Sequence, residues 1–330
     1  MEFITETLRN NNGMETTLLN LGATLTSITV PGPEGERVEL TLGYENPEGY
    51  IGDKMYFGST PGRFANRIGG GRFSLNGREY NLSLNNGENH LHGGTDGFAQ
   101  KFWDISREGD RVVFSYTSPD GENGYPGALT ARTAYSLNND NELSIEYTAE
   151  SDKDTILNLT NHAYFKLNPT ADDILDHELC LEADSFVVTD KENIPTGEIR
   201  PTEGSPLDMS AARRLRDIVA CDYDVIRNAG GIDSCFVIKG EGFRRAAVLT
   251  EPESGRALEV LTDLPGIQVY TGHLITAGTI GRGGQIYGPF SGVCLEAQRF
   301  PDAPNHPSFP SAVLKAGEAF SARIVYKLVF

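Results

Sequence analysis

Apolar side chains recur at every second residue in several stretches of this chain, and this period of two limits the fold more than any other feature of the sequence. Leu143, Ile145 and Tyr147 alternate with Glu142, Ser144 and Glu146, and Ile324, Tyr326, Leu328 and Phe330 repeat the pattern at the C-terminus. Successive side chains of a strand point to opposite faces, so each such run describes a strand with one buried and one wet face. Residues 16–30, 111–117, 155–165, 178–188, 246–250, 257–262, 267–271 and 292–298 are further strand candidates. Turn chemistry separates them, with Pro-Gly-Pro at 31–33, Asn-Gly at 76–77, Asp-Gly at 120–121 and Ser-Gly at 254–255. Helical signal is thin; the best run is 208–219, with Asp208 or Ser210 placed to cap it. Closely spaced strands without interleaved helices exclude a parallel βαβ sheet and predict an all-β sandwich or barrel. No internal repeat, low-complexity tract or charged linker divides residues 1–330, so a single domain is expected.

A chain of 330 residues buries enough apolar surface to fold without disulfides or metals. Its four cysteines, Cys180, Cys221, Cys235 and Cys294, show no metal-site or redox spacing and read as free thiols of a reducing compartment. The net charge of −18 repels nucleic acid and anionic membranes. Arg213, Arg214 and Arg216 cluster, as do Arg244 and Arg245, and read as solvated faces rather than phosphate clamps. Residues 1–12 are polar and carry Glu2 and Glu6, unlike a secretory leader. No run approaches the ~18 apolar residues of a membrane span. The expectation is a soluble, cytoplasmic protein with no membrane or nucleic-acid partner.

Polar residues inside apolar strands mark the candidate chemistry, because burying such a group costs free energy unless a partner satisfies it. In Thr155-Ile-Leu-Asn-Leu-Thr-Asn-His-Ala-Tyr-Phe165, alternation puts Leu157 and Leu159 on one face and Asn158, Thr160 and His162 on the other. In 292–302, Val293, Leu295 and Ala297 face a core while Cys294, Glu296 and Gln298 face away. Glu296 there is either an ion-pair partner or a general base tuned by its surroundings. Gln268 and Tyr270 share a face in 266–272, and Asp233 follows the flexible Gly230-Gly231. His90 and His92 have a spacing that suits one strand face, but no third ligand is nearby for a catalytic zinc. The glycines of 69–71 lack the Gly-Lys-Ser/Thr of a phosphate loop.

Five segments in order carry a resemblance: Gly62-Arg-Phe-Ala-Asn-Arg-Ile68, Leu91-His-Gly-Gly94, Asn158-Leu-Thr-Asn-His-Ala-Tyr-Phe165, Pro265-Gly-Ile-Gln-Val-Tyr-Thr-Gly272 and Leu295-Glu-Ala-Gln-Arg-Phe-Pro-Asp-Ala303. They resemble the signature segments of the aldose 1-epimerases (galactose mutarotases), in that family's order and spacing. The resemblance implies an all-β fold, a large antiparallel β-supersandwich of the galactose mutarotase-like kind with few short helices. It also implies a sugar groove on one sheet, no cofactor and no metal. The implied activity interconverts the α and β anomers of free aldohexoses such as galactose and glucose. The expected partner is then a small monosaccharide, and the expected state a monomer or homodimer. His162 matches the family's acid and Glu296 its base, while Asn66, Arg67, His92, Asp233 and Gln268 match substrate-contacting positions. Lys166, His273 and Phe300 depart from the family's common residues and bear on sugar preference.

The implied chemistry has Glu296 taking the anomeric hydroxyl proton while His162 protonates the ring oxygen, with His92 and Arg67 as oriented donors. The competing readings are a sugar-phosphate or disaccharide 1-epimerase of the same fold, a non-catalytic carbohydrate-binding sandwich, and a glycoside hydrolase pairing Asp233 with Glu296. The arginines of 213–216 support the first, and the single tryptophan, Trp103, speaks against the second. The last needs two carboxylates across the scissile bond.

Overall fold

The alternating run around residue 145 becomes the strand Glu142–Ser151, near the middle of a nine-stranded sheet. The structure is a computed structural model that describes residues 2–330; Met1 lies outside the described residues. In spatial order the nine strands are Arg213–Arg214, Glu178–Leu181, Arg244–Thr250, Ala257–Thr262, Phe320–Val329, Glu142–Ser151, Leu129–Leu137, Arg111–Ser118 and Asp104–Glu108. Each neighbouring pair is antiparallel. A six-stranded antiparallel sheet runs Tyr164–Phe165, Val293–Gln298, Gly266–Tyr270, Asp233–Ile238, Ala183–Thr189 and Pro195–Pro201. Leu143, Ile145, Val260 and Ile324 of the first sheet share one buried cluster with Phe236, Ile267, Val269 and Leu295 of the second. Burying each such side chain contributes about 1.5–3 kcal/mol, and this layer holds the sandwich together. A four-stranded sheet, from Thr5–Arg9 to Arg37–Glu39, adds Leu18, Ile28 and Val30 to the same core.

Several expected strands are divided in the structure. Residues 16–30 form the hairpin Glu15–Leu19 and Thr24–Pro31, turning where Gly22 adopts φ +71°. Residues 178–188 split at Glu182: Glu178–Leu181 belongs to the nine-stranded sheet and Ala183–Thr189 to the six-stranded one. The run 155–165 forms strands only at its ends, Thr155–Ile156 and Tyr164–Phe165, with one isolated parallel bridge from Asn158 to Phe64 between them. Between them the backbone bonds to loops instead, with His162 N–H donating to Ser59 O (3.0 Å) and its carbonyl accepting from Gly58 N–H (2.9 Å).

Asn158 and Thr160 therefore do not line a groove. Both are fully buried, Asn158 Nδ2 donates to Ala65 O and Arg299 O, and Thr160 Oγ1 donates to Ala297 O. Backbone carbonyls that no sheet partner satisfies take up these side chains. The helix expected over 208–219 shrinks to Leu215–Val219, because Arg213–Arg214 pair with Glu178–Leu181 and Asp208 accepts the Ser210 N–H in a local turn. A second short helix, Asp224–Ala229, had no sequence signal and ends at Gly230, φ +82°.

Candidate active site

Cross-strand register decides what the six-stranded sheet presents. Gln268 lies opposite Glu296 and Cys235; Tyr270 lies opposite Cys294 and Asp233; Tyr164 lies opposite Cys294. Directly opposed residues share a face, so these side chains form two adjacent rows away from the core. Ile267, Val269, Leu295 and Ala297 fill the other face. Above the rows, two loops bring in the remaining residues. Their backbones approach so closely at Gly93 (φ +88°) that a Cβ there would sit 1.6 Å from Gly62 O. Next to this contact His92 N–H donates to Asn66 O (3.1 Å). Tyr56, Asn66 and His92 all hold φ between 51° and 66°, a conformation that non-glycine residues adopt only when the surroundings impose it.

The result is a pocket of ≈ 180 Å³ lined by Asn66, Arg67, His92, His162, Asp233, Gln268 and Glu296 together with Tyr56, Asn86, Tyr164 and Tyr270. His162 Nε2 stands 3.8 Å from Glu296 Oε1. Asp233 accepts from Gln268 Nε2 (2.6 Å) and from Asn193 Nδ2 (3.1 Å), and Arg67 Nη1 lies 3.7 Å from it. Arg67 Nε donates to Asn86 Oδ1 (3.1 Å). Glu296 Oε2 and Gln268 Oε1 are buried without a partner. Buried polar atoms are rarely left so, and two of them at one pocket fit a ligand rich in hydroxyl donors.

Burial sets the protonation of the pair. Burial, then the neighbouring Asp233, push Glu296 well above the usual carboxylate range against a smaller opposing pull from Arg67. Burial lowers His162 to about 4. Burial thus favours the uncharged form of each side chain. His92 is likewise kept neutral by burial. The Asn66 N–H donates to His92 Nδ1 (3.1 Å), so Nε2 of His92 must carry its proton and act as a donor.

His90 and His92 do not converge on a metal. His90 bonds Ser83 O and the Tyr125 hydroxyl, away from the pocket. Among the described residues, His162, Cys294 and Glu296 bring donor atoms within 4.8 Å of one another, and Cys294 Sγ lies 3.4 Å from His162 Nδ1. None of Lys166, His273 and Phe300 lines the pocket. Phe300 packs on Phe309 in the interior, while His273 reaches the site through its ring contact with Tyr270 (5.0 Å). The arginines of 213–216 lie elsewhere as well: Arg213 donates to Pro206 O and Arg216 pairs with Asp176. Trp103 is 2% exposed, too buried to stack on a ligand.

Tyr56 escaped the sequence reading. It stacks on His162 with ring centroids 5.8 Å apart and planes 21° apart, and it touches His92. It stands in a loop without periodicity, and nothing local signals that its ring folds over a residue more than 100 positions away.

Residues 5–327 match the family model described as aldose 1-epimerase. The chain is 40% identical over 312 residues to the galactose mutarotase of Bos taurus, covering 94% of this chain and 90% of that protein. It is 37% identical over 328 residues to the aldose 1-epimerase of Escherichia coli K12, covering 98% and 94%. Among solved structures, an aldose epimerase homologue from C. elegans superposes with TM-score 0.93 at 30% identity, over 99% of both chains. The galactose 1-epimerase of Lactobacillus acidophilus gives 0.87 at 29%, over 99% and 98%. With the family model and the relatives both spanning nearly all of it, the chain belongs to the aldose 1-epimerase family.

Proposed function

We propose that this protein is a mutarotase that interconverts the α and β anomers of free aldohexoses, galactose and glucose among them, with Glu296 as base and His162 as acid. The observation that carries the assignment is the separation of 3.8 Å between His162 Nε2 and Glu296 Oε1 in the pocket. A hemiacetal presents its hydroxyl and its ring oxygen on the same carbon, so neighbouring groups serve both. Glu296 removes the O1 proton, His162 delivers one to O5, and the C1–O5 bond breaks to give the open-chain aldehyde. After rotation about C1–C2, His162 takes back the O5 proton as O5 attacks the other carbonyl face, and Glu296 returns a proton to O1. No net proton is consumed. The productive form is Glu296 carboxylate with His162 imidazolium, which has the same proton count as the favoured neutral pair. Moving one proton within the pair therefore readies the site.

Asp233, held by Gln268, Asn193 and Arg67, binds sugar hydroxyls, and His92 Nε2–H and the Arg67 guanidinium face developing charge on oxygen. An Asp233 carboxylate that already accepts a hydrogen bond on each of its oxygens is poorly placed to act as a second glycosidase carboxylate, and the pocket lacks the arginine cluster that favoured a sugar phosphate. The same reading makes the protein a cytoplasmic monomer or homodimer folded as one domain. Its four cysteines are free, and the proposed residues come from one chain. Among the described residues no helix is long and apolar enough to cross a membrane.

Polarimetry on freshly dissolved α-D-galactose tests the assignment. Glu296→Gln and His162→Asn are expected to lower kcat by ~10²–10⁴-fold each, the usual worth of a positioned acid or base. Mutarotation at the wild-type rate by either variant overturns it.

A further inference from the structure

The two nitrogens of His162 meet different surroundings. Nε2 is directed at Glu296 and the pocket, whereas Nδ1 lies 3.4 Å from Cys294 Sγ, beneath the pocket floor. The ring is also sandwiched, with Tyr56 on one side (5.8 Å, 21°) and Tyr164 on the other (5.1 Å, 24°). Two stacked neighbours fix the plane of an imidazole but leave open which of its two flipped orientations, related by a half-turn about Cβ–Cγ, and which tautomer it adopts. Cys294 is the side chain placed to settle both, being next but one to Glu296 on the same strand face and fully buried. The tyrosine ring that covers His162 also meets this sulfur through its hydroxyl.

The mechanism makes a demand on this nitrogen. In the imidazolium that protonates O5, both ring nitrogens donate. Once Nε2 has given up its proton, the neutral ring must keep the remaining one on Nδ1, so that Nε2 can take the O5 proton back during closure. We propose that Cys294 is a positioning residue, accepting the Nδ1–H of His162 so that Nε2 alone gives and takes the substrate proton. This proposal rests on the assignment of His162 as the acid. A thiol suits the task in one further respect. Unlike a carboxylate, an uncharged sulfur does not stabilise the imidazolium, so His162 remains a strong acid, in keeping with its low value of about 4. The burial that raises the Cys294 thiol well above its ordinary range keeps that sulfur uncharged. His92, whose Nδ1 accepts a backbone N–H, is held in the opposite tautomer. The two pocket histidines are thereby set apart as a fixed donor and a shuttle.

Other titratable groups facing His162 are Glu296, Asp233, His92, Tyr56, Tyr164 and Tyr270, and none of them lies on the Nδ1 side within hydrogen-bond reach.

The test compares Cys294→Ala with Cys294→Ser, since a hydroxyl accepts the Nδ1–H and a methyl does not. For Cys294→Ala, kcat on galactose should fall roughly 10–100-fold, the usual cost of removing a group that orients a histidine, with KM nearly unchanged. Cys294→Ser should stay within about threefold of wild type by the same reasoning. Nitrogen-15 NMR of the histidine rings gives a readout that packing alone does not move. The neutral His162 ring should carry its proton on Nδ1 in wild type and Cys294→Ser, and lose that preference in Cys294→Ala. Wild-type kcat in Cys294→Ala, equal losses in two folded variants, or an Nε2–H tautomer in neutral wild-type His162 each overturns the proposal. If Cys294→Ala is normal while His162→Asn is inactive, only the positioning role fails. If His162→Asn is active, the catalytic assignment fails with it.

Discussion

Replacing Glu296 by glutamine should lower turnover ~10²–10⁴-fold and yet stabilise the fold, in a way that depends on pH. Glu296 is 2% exposed, its Oε2 has no partner, and burial with Asp233 nearby raises its pKa well above the ordinary carboxylate value. In the unfolded chain the group titrates near 4.3. Between that value and the raised folded one, the native state binds a proton that the unfolded state has released. Stability therefore falls as pH rises through this window. Each unit of difference costs about 1.4 kcal/mol, or roughly 3 °C in Tm at about 2 °C per kcal/mol for a chain of this length. Glutamine has nearly the shape of the protonated acid, leaves a comparable polar atom buried, and has no proton to bind. At pH 4, where glutamate is mostly protonated in both states, the two proteins should melt within about 1 °C of each other. At pH 8 the variant should melt higher by about 3 °C for every unit by which the folded value is raised. Differential scanning calorimetry from pH 4 to 9, paired with polarimetry, measures both effects. A variant that is less stable than wild type at pH 8, or whose gain is the same at every pH, refutes the argument.

Three other outcomes follow from the same geometry. The profile of kcat/KM against pH should be bell-shaped, because turnover needs one proton on the pair. The acid limb should fall near pH 4, where His162 and Glu296 are both protonated, and the alkaline limb should come as pH rises through the raised Glu296 value. Asp233→Asn should raise KM for galactose roughly tenfold or more in initial-rate polarimetry with a smaller change in kcat, since a hydrogen bond to a charged group contributes about 1.5–3 kcal/mol. Arg63 is 2% exposed and donates to Pro126 O (2.9 Å) and Gly127 O (2.8 Å), tying the loop that carries Asn66 to the segment that leads into the strand Leu129–Leu137. Arg63→Met strands those two carbonyls, and at about 1–3 kcal/mol for each buried group left unsatisfied it should lower Tm by roughly 4–12 °C in a thermal melt.

The sequence by itself determined the class of fold and the location of the strand that carries Glu296. A period of two is a local property that survives in any environment, so Glu142–Ser151, Ala257–Thr262, Val293–Gln298 and Phe320–Val329 were legible without tertiary information. The polar faces of 266–272 and 292–298 could likewise be read from alternation alone. The segment order of the aldose 1-epimerases tied these strands to Asn66, Arg67 and His92, which have no periodic signal of their own. Only the tertiary structure decided the rest. Register across three strands put Glu296 beside Gln268 and Cys294 beside Tyr270, and no local pattern encodes register between segments so distant in the chain. The run 155–165 shows the limit of alternation. Asn158, Thr160 and His162 are equivalent by spacing, yet the first two serve backbone carbonyls of neighbouring segments and the third turns into the pocket. Backbone groups that no sheet partner satisfies claim whichever side chains are near, and which groups those are is settled only when the loops close over the sheet.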